Sequence, residues 1–480
     1  MTRALFSSLP LSSFQLAALD GLGYTEMTPV QAQSLPAILA RKDVIIQAKT
    51  GSGKTAAFAI GLLNHLNPRH FGVQAMVMCP TRELADKVGD AIRQLASRMP
   101  NIKVVMLCGG KPFGPQRDSL EHGTHIVVGT PGRIQDHLQR RTLDLNGLTT
   151  LVLDEADRML DMGFADVMTS ITAGLPKARQ TLLLSATFPD DIKKISRSIQ
   201  RNPVSIKAET VVAQDEITIT QLFFEIQKYE RDTALIALFE HYQPQNAMVF
   251  CNTKKQCDEV ASLLHAQNIE AAAIHGDLEQ RQRDQVLLQF ANDSCPVLIA
   301  SDVAARGLDI PALEMVVNFE LPRDADTYIH RIGRTGRAGQ SGKAFSLVTP
   351  AEAPRMRVIE DHLSIIGICD QLASLNRDPN YYLWGAMTTV QIDAGRRQKI
   401  RPGDLLGALT GDAGLDASAI GKITIGDNVS HVAISRAALR QAMNYLSHGK
   451  VKGRAIRVRQ LGATPSPLHS RQRDARRRRS

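Results

Sequence analysis

Aromatic side chains are scarce in this sequence, 5% of its 480 residues, and tryptophan occurs once, at Trp384. The six cysteines, Cys79, Cys108, Cys251, Cys257, Cys295 and Cys369, form no CxxC pair and no metal-ligand spacing. That excludes a zinc ribbon and a disulfide framework and fits a reduced, cytoplasmic compartment. No apolar run approaches the ~18 residues that span a bilayer. The opening MTRALFSSLPLSSFQLAALDG is broken by Pro10 and Asp20, so no signal peptide and no membrane partner are expected. With 34 glycines and 22 prolines, near average, the chain is neither fibrous nor mainly disordered.

At ~100–200 residues per domain the length implies two to four domains. The net charge of +9 is unevenly placed. From residue 396 to the end there are 18 basic and 5 acidic residues, +13, which leaves −4 on everything before. A slightly acidic body with a basic end suggests a polyanion contact at that end; the plainer reading is a solvated, solubilising tail.

Short β-rich runs alternate with helical stretches at 44–47, 75–79, 104–107, 125–129, 151–153 and 181–184, and again at 247–251, 271–274, 297–300, 315–319 and 344–348. Runs apolar on both faces belong in covered parallel sheets, so two α/β lobes are expected. The expected division is a first lobe over 1–208, a linker at 209–217 and a second lobe over 218–365. A connector at 366–397, a small βαββαβ unit at 398–461 and a basic disordered tail at 462–480 follow. In the small unit the expected strands are 398–401, 420–425, 429–434 and 455–459, with helices over 402–410 and 436–446.

The most informative segment is VIIQAKTGSGKT, 44–55. An apolar strand, a glycine-containing turn and GKT opening a helix make a phosphate-binding loop. Gly51 and Gly53 turn backbone amides toward phosphate oxygens, Lys54 reaches the terminal phosphates and Thr55 presents a hydroxyl to Mg²⁺. Ala48 stands where the strict pattern has glycine, so the turn rests on Gly51. LVLDEAD, 151–157, adds a strand ending on Asp154, a carboxylate for Mg²⁺, and Glu155, a base for water. Taken alone, each has a structural reading: a glycine turn, and two carboxylates favoured at a helix start.

These segments, with PTRELA (80–85), TPGR (130–133), SAT (185–187), VFCNT (249–253), HGD (275–277), SDVAARGLDI (301–310) and HRIGRTGR (330–337), resemble the DEAD-box ATP-dependent RNA helicases. The match runs in order through nearly all of residues 1–350. It implies an α/β fold of two tandem RecA-like (P-loop) lobes, ATP and Mg²⁺ as cofactors and RNA as partner, with no obligate protein partner evident. It implies that Ala48, Lys49, Thr50, Gly51, Ser52, Gly53, Lys54 and Thr55 hold the phosphates. Gln31 would read adenine and Asp309 the ribose. Phe6 would stack on the base, its alternative being a packing anchor. Arg334 and Arg337 would act as arginine fingers, while Arg331 would in part be an RNA-facing basic residue and His330 a positioning one. Asp157, Ser185 and Thr187 would couple the nucleotide site to the lobe interface. Backbone contacts to RNA would come from Pro80, Thr81, Arg82, Gly110, Thr130 and Arg133, and from Thr253, Gly276, Gln280, Arg283, Ser301 and Asp302.

The small unit is similar to an RNA-recognition motif without its usual aromatics; His431 is the single ring expected on its sheet face. Lys450, Lys452, Arg454, Arg457 and Arg459 offer a basic alternative along the expected last strand, the plainer reading being an inert basic cap. The whole chain resembles the bacterial DbpA subfamily. That implies an RNA-dependent ATPase and helicase directed to 23S rRNA and large-subunit precursors in ribosome assembly. The alternatives are a general RNA chaperone and an ATP-gated RNA clamp.

Overall fold

A computed structural model describes residues 4–48, 51–188, 190–207, 219–305, 308, 310, 313–336, 341–363, 365, 367 and 369–462. Lys49, Thr50, Asp309, Arg337, the linker at 209–217 and the tail beyond residue 462 lie outside them. The chain divides into two compact units near residue 214.

In the first unit seven strands, β1 (Val44–Gln47), β2 (Ala75–Met78), β3 (Val104–Leu107), β4 (Ile126–Gly129), β5 (Thr150–Leu153), β6 (Gln180–Ser185) and β7 (Val204–Lys207), form one parallel sheet. Their order is β3-β4-β2-β5-β6-β1-β7. Strand side chains alternate between faces. Accordingly Leu182 and Leu184 join one buried cluster with Val44, Val77 and Val128, while Leu183 joins a second with Met76, Val127 and Leu151. Helices cover both faces, which is why these strands read as continuous apolar runs.

The second unit repeats the design with β8 (Ile219–Glu225), β9 (Ala247–Cys251), β10 (Ala271–Ile274), β11 (Val297–Ser301), β12 (Met315–Asn318), β13 (Gly342–Val348) and β14 (Cys369–Asp370). Their parallel order is β10-β11-β9-β12-β13-β8-β14.

It continues into a four-stranded antiparallel sheet, order β16-β17-β15-β20, of β15 (Met387–Ile392), β16 (Ile420–Ile425), β17 (Ser430–Ser435) and β20 (Val458–Gln460). One face buries Val390, Ile392, Val432 and Ile434 with residues of the helices Pro402–Gly407 and Leu439–His448.

Two expectations for this unit are corrected. The first strand is Met387–Ile392, inside the stretch expected to be a connector; the expected strand at 398–401 instead follows a tight turn at Arg396–Gln398, with Lys399 left-handed at φ 60°. MTTVQI carries the β-branched residues of a strand, and its pairing with β17 and β20 makes it one. The expected last strand is split: β18 (Lys450–Val451) and β19 (Arg454–Ala455) form their own small hairpin, closed by left-handed Lys452 and Gly453, and only β20 joins the sheet. Lys450, Lys452 and Arg454 therefore sit on that hairpin, and Arg457 and Arg459 on or just before β20.

Candidate functional site

In a parallel sheet all C-terminal strand ends lie on one edge, and binding loops gather there. Strand order divides this edge in the first unit. The neighbours β5, β6 and β1 carry Asp154-Glu155, Ser185–Thr187 and the phosphate loop; the neighbours β3, β4 and β2 carry Gly109-Gly110, Thr130–Arg133 and Pro80–Arg82. Residues far apart in sequence are so collected into two adjacent groups.

The phosphate loop is tied to its surroundings by backbone bonds. Ala48 N donates to Ser185 O at 3.2 Å, anchoring the loop's start to the end of β6. Gly51 and Gly53 have φ of 86° and 92°, the left-handed region that glycine occupies at little cost. A Cβ at Gly53 would stand 2.6 Å from Gln31 Nε2. Lys54, buried at the start of the helix Lys54–Asn64, donates to Ala48 O inside the loop. Ser52 Oγ is buried with no hydrogen-bond partner among the described residues, and Thr55 is half-buried on the first helical turn. Two left-handed glycines, a buried ammonium, a buried hydroxyl with no partner among the described residues and a helix start suit a polyphosphate.

Gln31 belongs to a capping box: its Oε1 accepts from Thr28 N at 2.8 Å, and its Nε2 donates to Gly53 O at 3.2 Å. Thr28 Oγ1 donates to Ser52 O at 2.8 Å. The helix Pro29–Leu39 thus clamps the phosphate loop from outside. Thr28's part was missed, although Thr-x-x-Gln is the spacing that marks such a cap. Phe6 is 2% exposed in the aliphatic core, with Tyr24 edge-on at 6.3 Å. An enclosed ring presents no face to a base, so of its two readings the structure gives the packing anchor.

Asp154 and Glu155 close the opposite side. Asp154 is buried; burial, then the neighbouring Glu155 carboxylate, pushes its carboxyl up to about 7 despite the Lys54 charge. Glu155 sits at φ 53°, an uncommon left-handed conformation for a non-glycine residue, and begins the helix Ala156–Asp161. Its Oε2 lies 3.1 Å from Arg158 Nη1, a partner that sequence reading missed. Among the described residues no group of three or more His, Cys, Asp or Glu could cage a metal. The oxygen set available, Asp154 with Thr55, fits Mg²⁺ of the kind held by one or two protein oxygens and substrate phosphates.

Asp157 links β6 to this site. Its Oδ2 accepts from Ala186 N, Thr187 N and Thr187 Oγ1 at 3.1, 2.9 and 2.9 Å, and its own N–H donates to Ser185 Oγ at 3.3 Å. Burial alone would raise its carboxyl, but the bonds from Thr187 and Ser185 outweigh that and hold it below the usual carboxylate range.

In the second unit the HRIGR segment is sorted by burial. Arg331 is 1% exposed, and its guanidinium is bidentate to Asp302, at 2.6 and 2.8 Å. It also donates to Asn252 Oδ1 at 2.8 Å, Asn318 Oδ1 at 3.1 Å and Glu320 O at 2.8 Å, and it lies over the Phe250 ring at 5.2 Å. It is not an RNA-facing residue: every direction a phosphate would approach from is occupied. Asp302, expected on RNA, holds Arg331 with both carboxylate oxygens. Arg334 is buried one helical turn further on, its N–H donating to Arg331 O.

Three family models match: DEAD/DEAH box helicase over residues 28–195, helicase conserved C-terminal domain over 230–339 and DbpA RNA binding domain over 389–460. The chain is 51% identical to the ATP-dependent RNA helicase DbpA of Escherichia coli, across 95% of this chain and 99% of that one. The chain belongs to the DEAD-box ATP-dependent RNA helicases. This helicase is also 43% identical to the DEAD-box helicase CshA of Bacillus subtilis over 74% of its own length and 72% of the relative's. S. cerevisiae Dbp5, solved bound to RNA and ADP BeF3, is similar at 30% identity and a TM-score of 0.68, covering 77% of the helicase and 96% of Dbp5. No helix among the described residues is long and apolar enough to cross a membrane.

The second group of loops in the helicase's first lobe now has its context. Thr81 caps the helix Arg82–Leu95, accepting from Leu84 N at 3.3 Å, next to buried Pro80. The Arg82 guanidinium lies against Gly110, where φ is 70° and a Cβ would stand 2.0 Å from Nη2. Arg133 donates to Lys111 O at 3.0 Å, behind half-buried Thr130 at the end of β4. Gly110→Ala is therefore expected to displace Arg82, weakening RNA stimulation of the ATPase while nucleotide affinity holds. Unchanged RNA half-saturation would show that the Arg82–Gly110 contact is irrelevant to RNA.

In the second lobe the C-terminal ends of the neighbours β10, β11 and β9 carry Gly276, Ser301-Asp302 and Thr253. Thr253 caps the helix Lys254–Ala266, Gln280 Nε2 donates to Asp284 at 2.7 Å, and Arg283 lies on the same helix as Gln280. In the C-terminal domain Lys450, Lys452 and Arg454 are all exposed, and Lys452 also donates to Lys399 O and Asp404 at 2.8 and 3.2 Å.

Proposed function

We propose that this helicase is an RNA-dependent ATPase that locally unwinds short RNA duplexes in the cytoplasm. Its C-terminal domain directs it to 23S rRNA and large-subunit precursors during 50S assembly. The observation that carries the targeted reading is likeness over the whole chain. Identity to a DbpA extends through 95% of it, and a DbpA RNA binding domain model matches 389–460.

In this reading the phosphate-loop amides, Lys54 and Ser52 hold the ATP phosphates, with Lys49 and Thr50 completing the loop. Gln31, already bonded to the loop, recognises adenine, and Asp309 the ribose. Mg²⁺ held by Asp154 and Thr55 would supply charge neutralisation at the β- and γ-phosphates. Glu155 takes the proton of the attacking water as its oxygen bonds to the γ-phosphorus and the bond to the bridging oxygen breaks. Arg334 and Arg337 supply positive charge to the γ-phosphoryl oxygens. Asp157, bonded to Ser185 and Thr187, transmits the state of the phosphate site to the end of β6. Pro80, Thr81, Arg82, Gly110, Thr130, Arg133, Thr253, Gly276, Gln280, Arg283 and Ser301 grip sugar and phosphate without reading bases, so sequence preference falls to the C-terminal domain. Lys450, Lys452 and Arg454 add electrostatic affinity there.

Steady-state ATPase assays against matched 23S rRNA, 16S rRNA and poly(A), at one salt concentration, test this. Strong stimulation by 23S rRNA alone is expected. Equal stimulation by all three would make the protein a general RNA chaperone; RNA-dependent closure with scarcely any turnover would make it an ATP-gated clamp.

A further inference from the structure

The segment joining the second lobe to the C-terminal domain carries the helicase's one tryptophan in an unusual setting. Trp384 and Tyr382 are 53% and 62% exposed, two residues apart, with ring centroids 5.2 Å from each other. Their exposure follows from what lies between them. Leu383 bridges in parallel to Ile269 beside the edge of the second lobe's sheet; its N–H donates to Asn268 O at 3.1 Å and its carbonyl accepts from Glu270 N at 2.8 Å. The Leu383 side chain packs on the lobe's core. In extended chain the flanking side chains must then point the other way, both together.

The platform is held on its far side as well. Gly385 N donates to Glu270 Oε2 at 2.8 Å, and a Cβ there would stand 2.6 Å from Asp293 O. Arg436 donates to Gly385 O at 2.5 Å and pairs with Glu270 at 2.5 Å, its guanidinium 5.8 Å from the Trp384 ring centre. Two exposed aromatic rings, inclined at 49° to each other and with a cation over the Trp384 ring, stand a few residues before the RNA-binding domain begins.

We propose that Tyr382 and Trp384 form a stacking platform for an unpaired nucleobase of RNA, separate from the backbone-gripping loops and from the basic hairpin. The inference rests on the chain's membership of the RNA helicases. The domain's own sheet offers one ring, His431, and no aromatic pair. Its outward row across the four strands is Thr424, His431, Gln391 and Arg459, and Thr389 on the same face is tied to Asn292 and Ser294 of the second lobe at 3.1 and 2.8 Å. The charge argues for the same occupant. The +13 carried from residue 396 onward draws a polyanion toward this end of the chain. Stacking on an aromatic face accepts any base, so the platform would hold a single-stranded flank rather than read sequence.

Because Trp384 is the sole tryptophan, its emission reports this site directly. Titration of the full-length protein with a short oligouridylate is expected to quench that emission to saturation, whereas an abasic oligoribonucleotide of the same length leaves it unchanged. Read by the anisotropy of a dye-labelled oligouridylate, because the tryptophan variants lose the emitting ring, Trp384→Ala and Tyr382→Ala are expected to weaken binding roughly 5- to 150-fold, and Trp384→Phe to restore it. RNA stimulation of ATPase, measured on the same preparation, separates the two readings. Stimulation without quenching overturns the platform alone; neither stimulation nor quenching overturns the RNA-dependent activity as well. Emission that shifts with protein concentration before RNA is added would place a second copy of the chain on the platform, and that too overturns the proposal.

Discussion

Glu155→Gln is expected to slow ATP hydrolysis by about 10²–10⁴-fold, the range of a positioned general base, while ATP binding persists. The substitution keeps shape and removes only the ability to accept a proton. Binding rests on groups it does not touch: the phosphate-loop amides, the Lys54 ammonium and the Asp154 carboxylate, all placed by β1, β5 and the helix Lys54–Asn64. The strained backbone at Glu155, φ 53°, explains how the carboxylate stays at the sheet edge instead of turning into the helix it precedes. Single-turnover hydrolysis paired with equilibrium binding of a nonhydrolysable ATP analogue checks this. Retained turnover would remove Glu155 from the chemistry. Parallel loss of binding and turnover would make it structural, through its ion pair with Arg158.

Arg331→Ala is expected to destabilise the second lobe by about 3–5 kcal/mol, the usual result of removing one member of a buried, hydrogen-bonded ion pair. The deletion strands the Asp302 carboxylate and leaves Asn252, Asn318 and the Glu320 carbonyl without their shared donor. Arg331→Lys should recover only part of the loss, since an ammonium cannot reproduce the bidentate contact and the further fork to the two asparagines. Denaturant unfolding followed by far-ultraviolet circular dichroism reads this effect. A stable Arg331→Ala protein with defective RNA binding would return Arg331 to the RNA surface and contradict the burial argument.

These two residues mark the boundary of what the sequence carries. The place of Glu155 was legible because it is local: a strand ends, adjacent carboxylates follow and a helix begins. Arg331 was not. It shares a three-residue spacing with Arg334 and Arg337, and nothing in HRIGRTGR distinguishes a buried hub from a charge offered to a ligand. The difference is made by Asp302, Asn252 and Asn318, which reach it from other strand ends. Phe6 is similar. Its identity allowed either a base stack or a packing anchor, and its partner Tyr24 and the surrounding core decided for the anchor.

The sequence by itself determined the two parallel sheets, through runs apolar on both faces, and the phosphate loop, through glycines whose left-handed backbone is a local property. It also determined the basic character of the C-terminal end. Only the tertiary structure decided where the C-terminal sheet begins, because MTTVQI becomes a central strand by pairing with β17 and β20, whose partner residues lie 38 to 70 positions further along. It also decided that Tyr382 and Trp384 face outward, because Leu383 is fastened to the edge of the second lobe. Period, turn and charge are encoded within a few neighbouring residues. A partner for a guanidinium, a carboxylate or an aromatic ring exists only once distant segments have met.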